Sequence, residues 1–271
     1  MTDRPAERYD GLSAAELAAG WGLPAVHLYG QVGSTNDVAR ALAGRGAPAG
    51  TLVLADEQAA GRGRGGKGWA SPPGLGVWMS MVLRPPSLSS PGLLPILVGL
   101  AAAEALDPFA RPARVMVKWP NDLQLAGRKL AGILCEASWE GGGPSFVVAG
   151  IGINVLHAPA DFPPELGDAA TSLRIAAGWG PPRGEVAGAV AAAVFRRLAE
   201  PPAALDAALL AELEGRDALR GRRVRVSGPE PVTGVAEGIG PGGALRVRSG
   251  SALHAVTAGT VRPADEPAPS A

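Results

Sequence analysis

Two β-rich runs, LAGILCEAS (130–138) and FVVAGIGINV (146–155), are separated only by residues 139–145, three of them glycine. A link this short joins antiparallel strands, because a parallel crossover needs a dozen or more residues. The neighbouring segments extend the pattern. AVHLYGQV (25–32), TLVLAD (51–56) and GVWMSMVLRP (76–85) read as strands. Ser34-Thr35-Asn36-Asp37 is a Ser-x-x-Asp helix start with Ser34 as N-cap, and Gly44 and Gly46 end that helix. Residues 92–106 are apolar all round and predict a buried helix. A strand at 114–119, a turn at Pro120-Asn121-Asp122, strand residues 123–126 and a turn at Gly127-Arg128 follow. Helices are expected at about 184–199 and 203–218. Strict strand–helix–strand alternation is absent, which predicts an α+β fold with a central mixed sheet flanked by helices rather than a doubly wound nucleotide fold.

Residues 222–262 change character. Short runs such as RRVRVS, VTGVAEGI, ALRVRS and HAVTAG, spaced by Gly and Pro, predict a small β-barrel. The expected organisation is a short, partly disordered N-terminal segment (1–24), a main domain (25–220), a small β domain (221–263) and a disordered tail (264–271). Residues 2–7 and 263–271 are rich in Pro, Ala and charge and read as disordered.

The formal net charge is zero, so no global field favours nucleic acid or an anionic membrane. The N-terminus, MTDRPAERYDG, lacks the basic-then-apolar order of a secretory signal, and 92–106 is short for a membrane span. The single cysteine, Cys135, lies in an apolar strand and reads as core, so a reducing cytoplasm is the expected compartment. Of 25 cationic residues only Lys67, Lys118 and Lys129 are lysines, and the only asparagines are Asn36, Asn121 and Asn154. All six fall between positions 36 and 154, the stretch where a compact ammonium or an amide fork is expected to matter.

Gly61-Arg62-Gly63-Arg64-Gly65-Gly66-Lys67-Gly68-Trp69 alternates glycine with cations. Such a loop lets backbone amides and guanidinium groups approach one anion, and it is costly to order without that anion. A linker and an RGG-like nucleic-acid tract are the competing readings; both sit poorly between strong strands. In Lys118-Trp119-Pro120-Asn121-Asp122, Pro120 holds Trp119 extended and aims a strand-end lysine. An ammonium there could neutralise a carboxylate and a phosphate together, or be a surface lysine beside a plain turn. Gly150-Ile151-Gly152-Ile153-Asn154 places glycines on a strand, where a ligand or another backbone comes close. Gln58 and Arg128-Lys129 add lesser weight. His27, His157 and His254 offer no metal-ligand spacing, and no protein metal site is expected.

Taken in order, STND, the 58–69 loop, KWPNDL, RKLAGIL, GIGINV and ATSL (170–173) resemble the biotin protein ligase family over roughly 25–262. The resemblance implies a class II synthetase-like, biotin–lipoate ligase-like sheet with an SH3-like C-terminal domain. It implies that biotin and ATP, with Mg2+, give biotinyl-5′-AMP, and that biotin then passes to a lysine of a biotin carboxyl carrier domain of acetyl-CoA carboxylase type. Ser34, Thr35, Asn36 and Gln58 would bind the ureido ring, and Gly61, Arg62, Gly63 and Arg64 would close over the adenylate. Lys118 would bind the biotin carboxylate and the α-phosphate, with Arg64 as its catalytic companion. Asn121 and Asp122 would place the nucleotide and magnesium. Gly132, Gly152 and Asn154 would floor the pocket, and Trp69 would shield the adenylate. About 25 residues before the first strand leave no room for the family's winged helix, so DNA binding is not expected; a homodimer is left open. The chain departs from the family at Gly65, where another Arg is frequent, and at Thr260, where many members carry an acidic residue. A lipoate ligase of the same fold is the rival enzyme, but its arginine–serine–glycine signature is not found. An RNA-binding module, suggested by RGRGG, is opposed by net neutrality.

Overall fold

The computed structural model describes residues 3–85, 92–140 and 143–265. The chain opens with β1 (Arg4–Pro5), β2 (Arg8–Tyr9), β3 (Leu12–Ser13) and α1 (Ala14–Trp21). It continues with β4 (Ala25–Val32), α2 (Thr35–Gly44), β5 (Thr51–Gln58), β6 (Gly76–Leu83) and α3 (Leu93–Ala110). Four strands follow: β7 (Met116–Lys118), β8 (Asp122–Leu125), β9 (Arg128–Glu140) and β10 (Gly143–Asn154). Next come α4 (Leu173–Ala177), α5 (Arg183–Arg197) and α6 (Ala207–Glu214). The chain ends in β11 (Arg223–Ser227), β12 (Val232–Ile239), β13 (Leu245–Ser249), β14 (Ala252–Val256) and β15 (Thr260–Pro263).

Eight strands form one mixed sheet in the order β1-β4-β5-β6-β10-β9-β8-β7. Its one parallel pair, β4 with β5, is the pair joined through α2. The other neighbours are antiparallel, including the expected β9–β10 hairpin, although its turn glycines Gly141 and Gly142 lie outside the described residues. The α+β class with a central mixed sheet is therefore what the chain adopts.

Alternation along the strands gives the sheet two unlike faces. Leu52, Leu54, Met79, Met81, Ile133, Ile151 and Ile153 lie in the large core with α3 and α5. Val53, Ala55, Val82 and Val148 face the other way, in a smaller cluster with Val32, Phe146 and Val38, Ala39, Leu42 and Ala43 of α2. Helix α3 runs past the predicted end at 106 to Ala110, so it is long and apolar enough to cross a membrane, yet about two thirds of it is buried inside the protein. Residues 4 and 5, within the stretch 2–7 that the sequence reading expected to be disordered, form a strand. Arg4 and Pro5 pair with Gln31 and Tyr29 on β4, whose edge would otherwise be open. Helix α1 is held by a capping box between Ser13 and Glu16. Helix α6 is shorter than predicted and starts where Asp206 accepts from the Leu209 amide at 2.8 Å. A second antiparallel sheet, β14-β13-β12-β11-β15, accounts for the C-terminal strands.

Candidate active site

The thinly covered face of the large sheet carries the glycines. Gly132 on β9 and Gly152 on β10 are direct cross-strand partners, and Gly150 stands two residues along on the same face. The Trp69 indole lies on this floor. A Cβ added at Gly132 would stand 2.8 Å from its Cζ3, and one at Gly152 2.5 Å from its Nε1. Glycine at both positions is what allows an aromatic ring to rest on the strands. The buried Nε1 of that indole has no hydrogen-bond partner, a cost that leaves a donor aimed at the floor.

At one end of the floor sits a buried polar cluster. Ser34, Thr35, Asn36 and Ser80 are all under 5% exposed. Ser34 starts α2, but its side chain makes no capping bond, unlike the N-cap read from the sequence. The next two residues turn inward instead. Asn36 Nδ2 donates to Glu136 at 2.7 Å and to the Leu134 carbonyl at 3.3 Å, which fixes Oδ1 as the acceptor. Gln58 Oε1 accepts from the Thr35 amide at 2.9 Å and lies 3.0 Å from Thr35 Oγ1. Gln58 Nε2 donates to Ser71 Oγ at 2.8 Å. Ser80 Oγ lies 2.6 Å from Asn36 Oδ1 and 2.7 Å from Thr35 Oγ1. Because Gln58 Oε1 already accepts from the Thr35 amide, the Thr35 hydroxyl can donate to Ser80 Oγ and the Ser80 hydroxyl to Asn36 Oδ1, which satisfies the cluster with its own two protons. Its oxygens keep lone pairs for further donors.

The glycine–arginine loop closes on itself. Trp69 N donates to Gly61 O at 2.8 Å and Gly63 N to Lys67 O at 2.7 Å, with Arg62 facing Gly68. The Gly63 amide is therefore spent inside the loop rather than offered to an anion. Arg62 also has its work at home. It forms a two-point pair with Asp37 at 2.5 and 2.7 Å and reaches Glu136 at 3.3 Å. Arg40 completes the group, 2.8 Å from Glu136. The Arg62 hydrogen bonds hold the Asp37 carboxyl below its ordinary range. Burial works against Glu136, but hydrogen bonds from Asn36 and Arg40 outweigh it and lower that carboxyl too. The sequence reading aimed Arg62 at phosphate; the structure instead uses it to tie the loop to α2 and β9. Arg64 donates to Asn121 Oδ1 at 3.3 Å and stays exposed.

Asn121 is fixed to β9 by its Nδ2, which donates to the Ile133 carbonyl at 2.7 Å. Lys118, Asp122 and Gly132 are successive cross-strand partners, so all three share the glycine face. Lys118 is nevertheless two strands away from Gly132. Lys129 joins this face: its ammonium is 2.7 Å from Asp122 and 5.1 Å from the centre of the Trp69 ring. A bulge between Leu123 and Gln124 places it opposite Gln124 on this face. Asn154, buried, is committed to the Thr171 carbonyl at 3.0 Å, and Thr171 N in turn donates to Lys129 O at 2.9 Å. It braces the strand that carries Lys129 instead of lining the floor. Burial pushes the Cys135 thiol up to about 12, so it is no nucleophile at neutral pH. Glu136 and Ser80 were absent from the residues picked out by sequence; Lys129 was among them, with lesser weight.

A profile of the biotin/lipoate A/B protein ligase family matches residues 30–154, the stretch that builds this face. A biotin–[acetyl-CoA-carboxylase] ligase of Mycobacterium tuberculosis is 34% identical over 90% of the chain and 91% of its own length. The chain belongs to the biotin protein ligase family. A bifunctional ligase/repressor of Bacillus subtilis is 47% identical over 54% of the chain, and that match spans 45% of the relative. Among solved structures, a biotin protein ligase from Aquifex aeolicus in complex with biotin and ATP superimposes with a TM-score of 0.77 at 27% identity. That superposition covers 88% of this chain and 99% of the other. As a family member, the chain carries its matched residues on one face of one sheet, from the polar cluster at Asn36 to the cations beside Asp122.

Proposed function

We infer that this chain is an ATP-dependent biotin protein ligase. One observation carries the choice of biotin over the family's other substrate: the relative matched over 91% of its own length is named a biotin–[acetyl-CoA-carboxylase] ligase. The buried oxygens of Thr35, Ser80, Asn36 and Gln58 add to it, since a ureido ring brings N–H groups for acceptors and a dithiolane ring brings none. In the first step a carboxylate oxygen of biotin attacks the α-phosphorus of ATP, forming the acyl-phosphate bond as pyrophosphate leaves. Two anions must meet for this, and a cation between them lowers the barrier. The sequence reading gave that task to Lys118. Lys118 shares the glycine face with Asp122 and Gly132, and Lys129, which stands over Trp69, is a second cation beside the floor. In the second step an amine of the carrier lysine attacks the acyl carbon, AMP departs, and the ammonium proton is lost to solvent. The name of the M. tuberculosis relative supports a carboxyl carrier domain of acetyl-CoA carboxylase type as acceptor.

Magnesium belongs to this reading as the partner of the triphosphate. Among the described residues no group of three or more His, Cys, Asp or Glu could hold an ion, and Asp122 is already paired with Lys129. The nucleotide's own oxygens would therefore supply most of its ligands. The C-terminal strands are read as an SH3-like module and the setting as cytoplasmic, consistent with a lone cysteine in the chain.

The test is biotin-dependent exchange of pyrophosphate into ATP. The wild type is expected to exchange only when biotin is present. Lys118→Ala should lose on the order of a hundredfold or more, as when a transition-state donor is removed, and Lys129→Ala should lose less. No biotin-dependent exchange in the wild type would overturn the function; near-normal exchange in Lys118→Ala would overturn that residue's role alone.

A further inference from the structure

Strand β7, which ends in Lys118, has three residues and stands at the rim of the eight-stranded sheet. Its outer side is nevertheless covered. Val117 N donates to Arg216 O at 2.8 Å and Ala218 N to Val117 O at 2.9 Å, a parallel pairing with residues 216–218. Arg216, 4% exposed, adds bonds to the Val115 carbonyl at 3.0 Å and to Asp107 at 2.8 Å. Those residues lead straight into β11 of the second sheet. From the same sheet, the β12–β13 turn reaches back to the far end of β7. Trp119 Nε1 donates to Gly243 O at 2.9 Å, and the ring is 2% exposed. The turn is itself pinned, since Leu205 N donates to Pro241 O at 2.9 Å. Gly243 has a φ of 83°, and a Cβ there would stand 3.2 Å from Ile96 Cδ1 and 3.4 Å from the Gly92 backbone. The second sheet therefore grips β7 along its edge and at its end, immediately before and after the residues that face the nucleotide.

We propose that Trp119 is a positioning residue through which the C-terminal sheet sets Lys118, Asn121 and Asp122 toward ATP. The indole touches no reacting group in this scheme. It acts by fixing the turn that follows it, and its N–H must reach one particular carbonyl on the other sheet. The inference rests on the ligase reading and goes beyond it, giving the small sheet a part in nucleotide placement. The biotin end of the site, built on α2, β6 and β9, has no contact with this tie in the bonds described above. Loosening the tie is thus expected to affect ATP and to spare biotin.

Two variants test this. Trp119→Phe keeps a ring in the buried slot and removes the N–H. Gly243→Ala leaves Trp119 intact and displaces the accepting carbonyl, because alanine is strained at that φ and crowded by Ile96. In biotin-dependent pyrophosphate exchange, both should raise the KM for ATP about tenfold. Biotin affinity measured by calorimetry without nucleotide should stay within about twofold. Equal losses of ATP and biotin affinity, together with a lowered Tm, would mean a merely structural role and overturn the proposal. So would an unchanged KM for ATP in Gly243→Ala, which remains decisive if Trp119→Phe fails to fold. A wild type without exchange points to the ligase reading instead, so the two failures are distinguishable.

Discussion

Gly132 and Gly152 face each other across two strands, and the Trp69 indole rests on both. A methyl group at Gly152 would press on the indole Nε1 from 2.5 Å, so the ring, not the strand, must yield. Gly152→Ala is therefore expected to weaken biotin binding about tenfold, near 1.4 kcal/mol, while Tm shifts by only a few degrees. Calorimetric titration checks it; unchanged affinity would show that this ring and floor do not form the pocket wall. At this scale the sequence was partly readable. Glycines on a strand announce close approach, and that signal led to Gly152, while Gly132 came only from the family resemblance. Lys129 carried only lesser weight because a β-bulge sets which face its side chain takes, and bulges leave no mark in this sequence. Glu136 left a usable trace: it lies four residues after Gly132 on the same strand, hence on the same face, as a lone carboxylate in an apolar run. Ser80 is one polar residue in an otherwise apolar strand, and only its neighbours from α2 give it a purpose.

The glycine–arginine loop shows what an element adds to its residues. Five glycines in nine suggested a segment that only a bound anion could organise. The actual order comes from cross-loop backbone bonds and from Arg62 bridging Asp37 and Glu136. Motif spacing cannot reveal this, since Asp37 is 25 residues away and Glu136 is 74. Helix α1 is the opposite case: its Ser-x-x-Glu capping box was legible at 13–16 and went unread. Asp37→Asn should loosen the loop and release the adenylate faster, seen as several-fold more labelling of bystander lysines. The stability cost should stay within about 1 kcal/mol, because these ion pairs are exposed and screened. Both carboxyls titrate below their ordinary values when folded, so their contribution is complete above the ordinary carboxylate range. It is lost only as pH falls through the lowered values. Retention of the adenylate should accordingly be flat from pH 8 to 5 and fail below about pH 4. A loss already at pH 6 would count against these carboxylates as the closure.

Across the whole molecule, stability and function divide between the faces of one sheet. The face under α3 and α5 holds the large apolar core, while the face under α2 leaves glycines and a polar cluster for a ligand. This division follows from alternation along strands that the sequence already displayed, which is why the fold class could be read before the site. The contact of the C-terminal sheet with Trp119 could not, since it joins residues 124 positions apart. A ligand that fills the second face binds only the folded chain, so it must raise Tm by mass action. At a hundred times its Kd the gain is about 2.7 kcal/mol. With an unfolding entropy near 2.1 cal/mol/K per residue, that is about 5 °C for 271 residues. Biotin should produce this shift. Lipoate at the same concentration should not, because its ring carries no N–H to meet the acceptor oxygens of the polar cluster. A thermal scan in which lipoate stabilises and biotin does not would reverse the substrate assignment while leaving the fold and the family untouched.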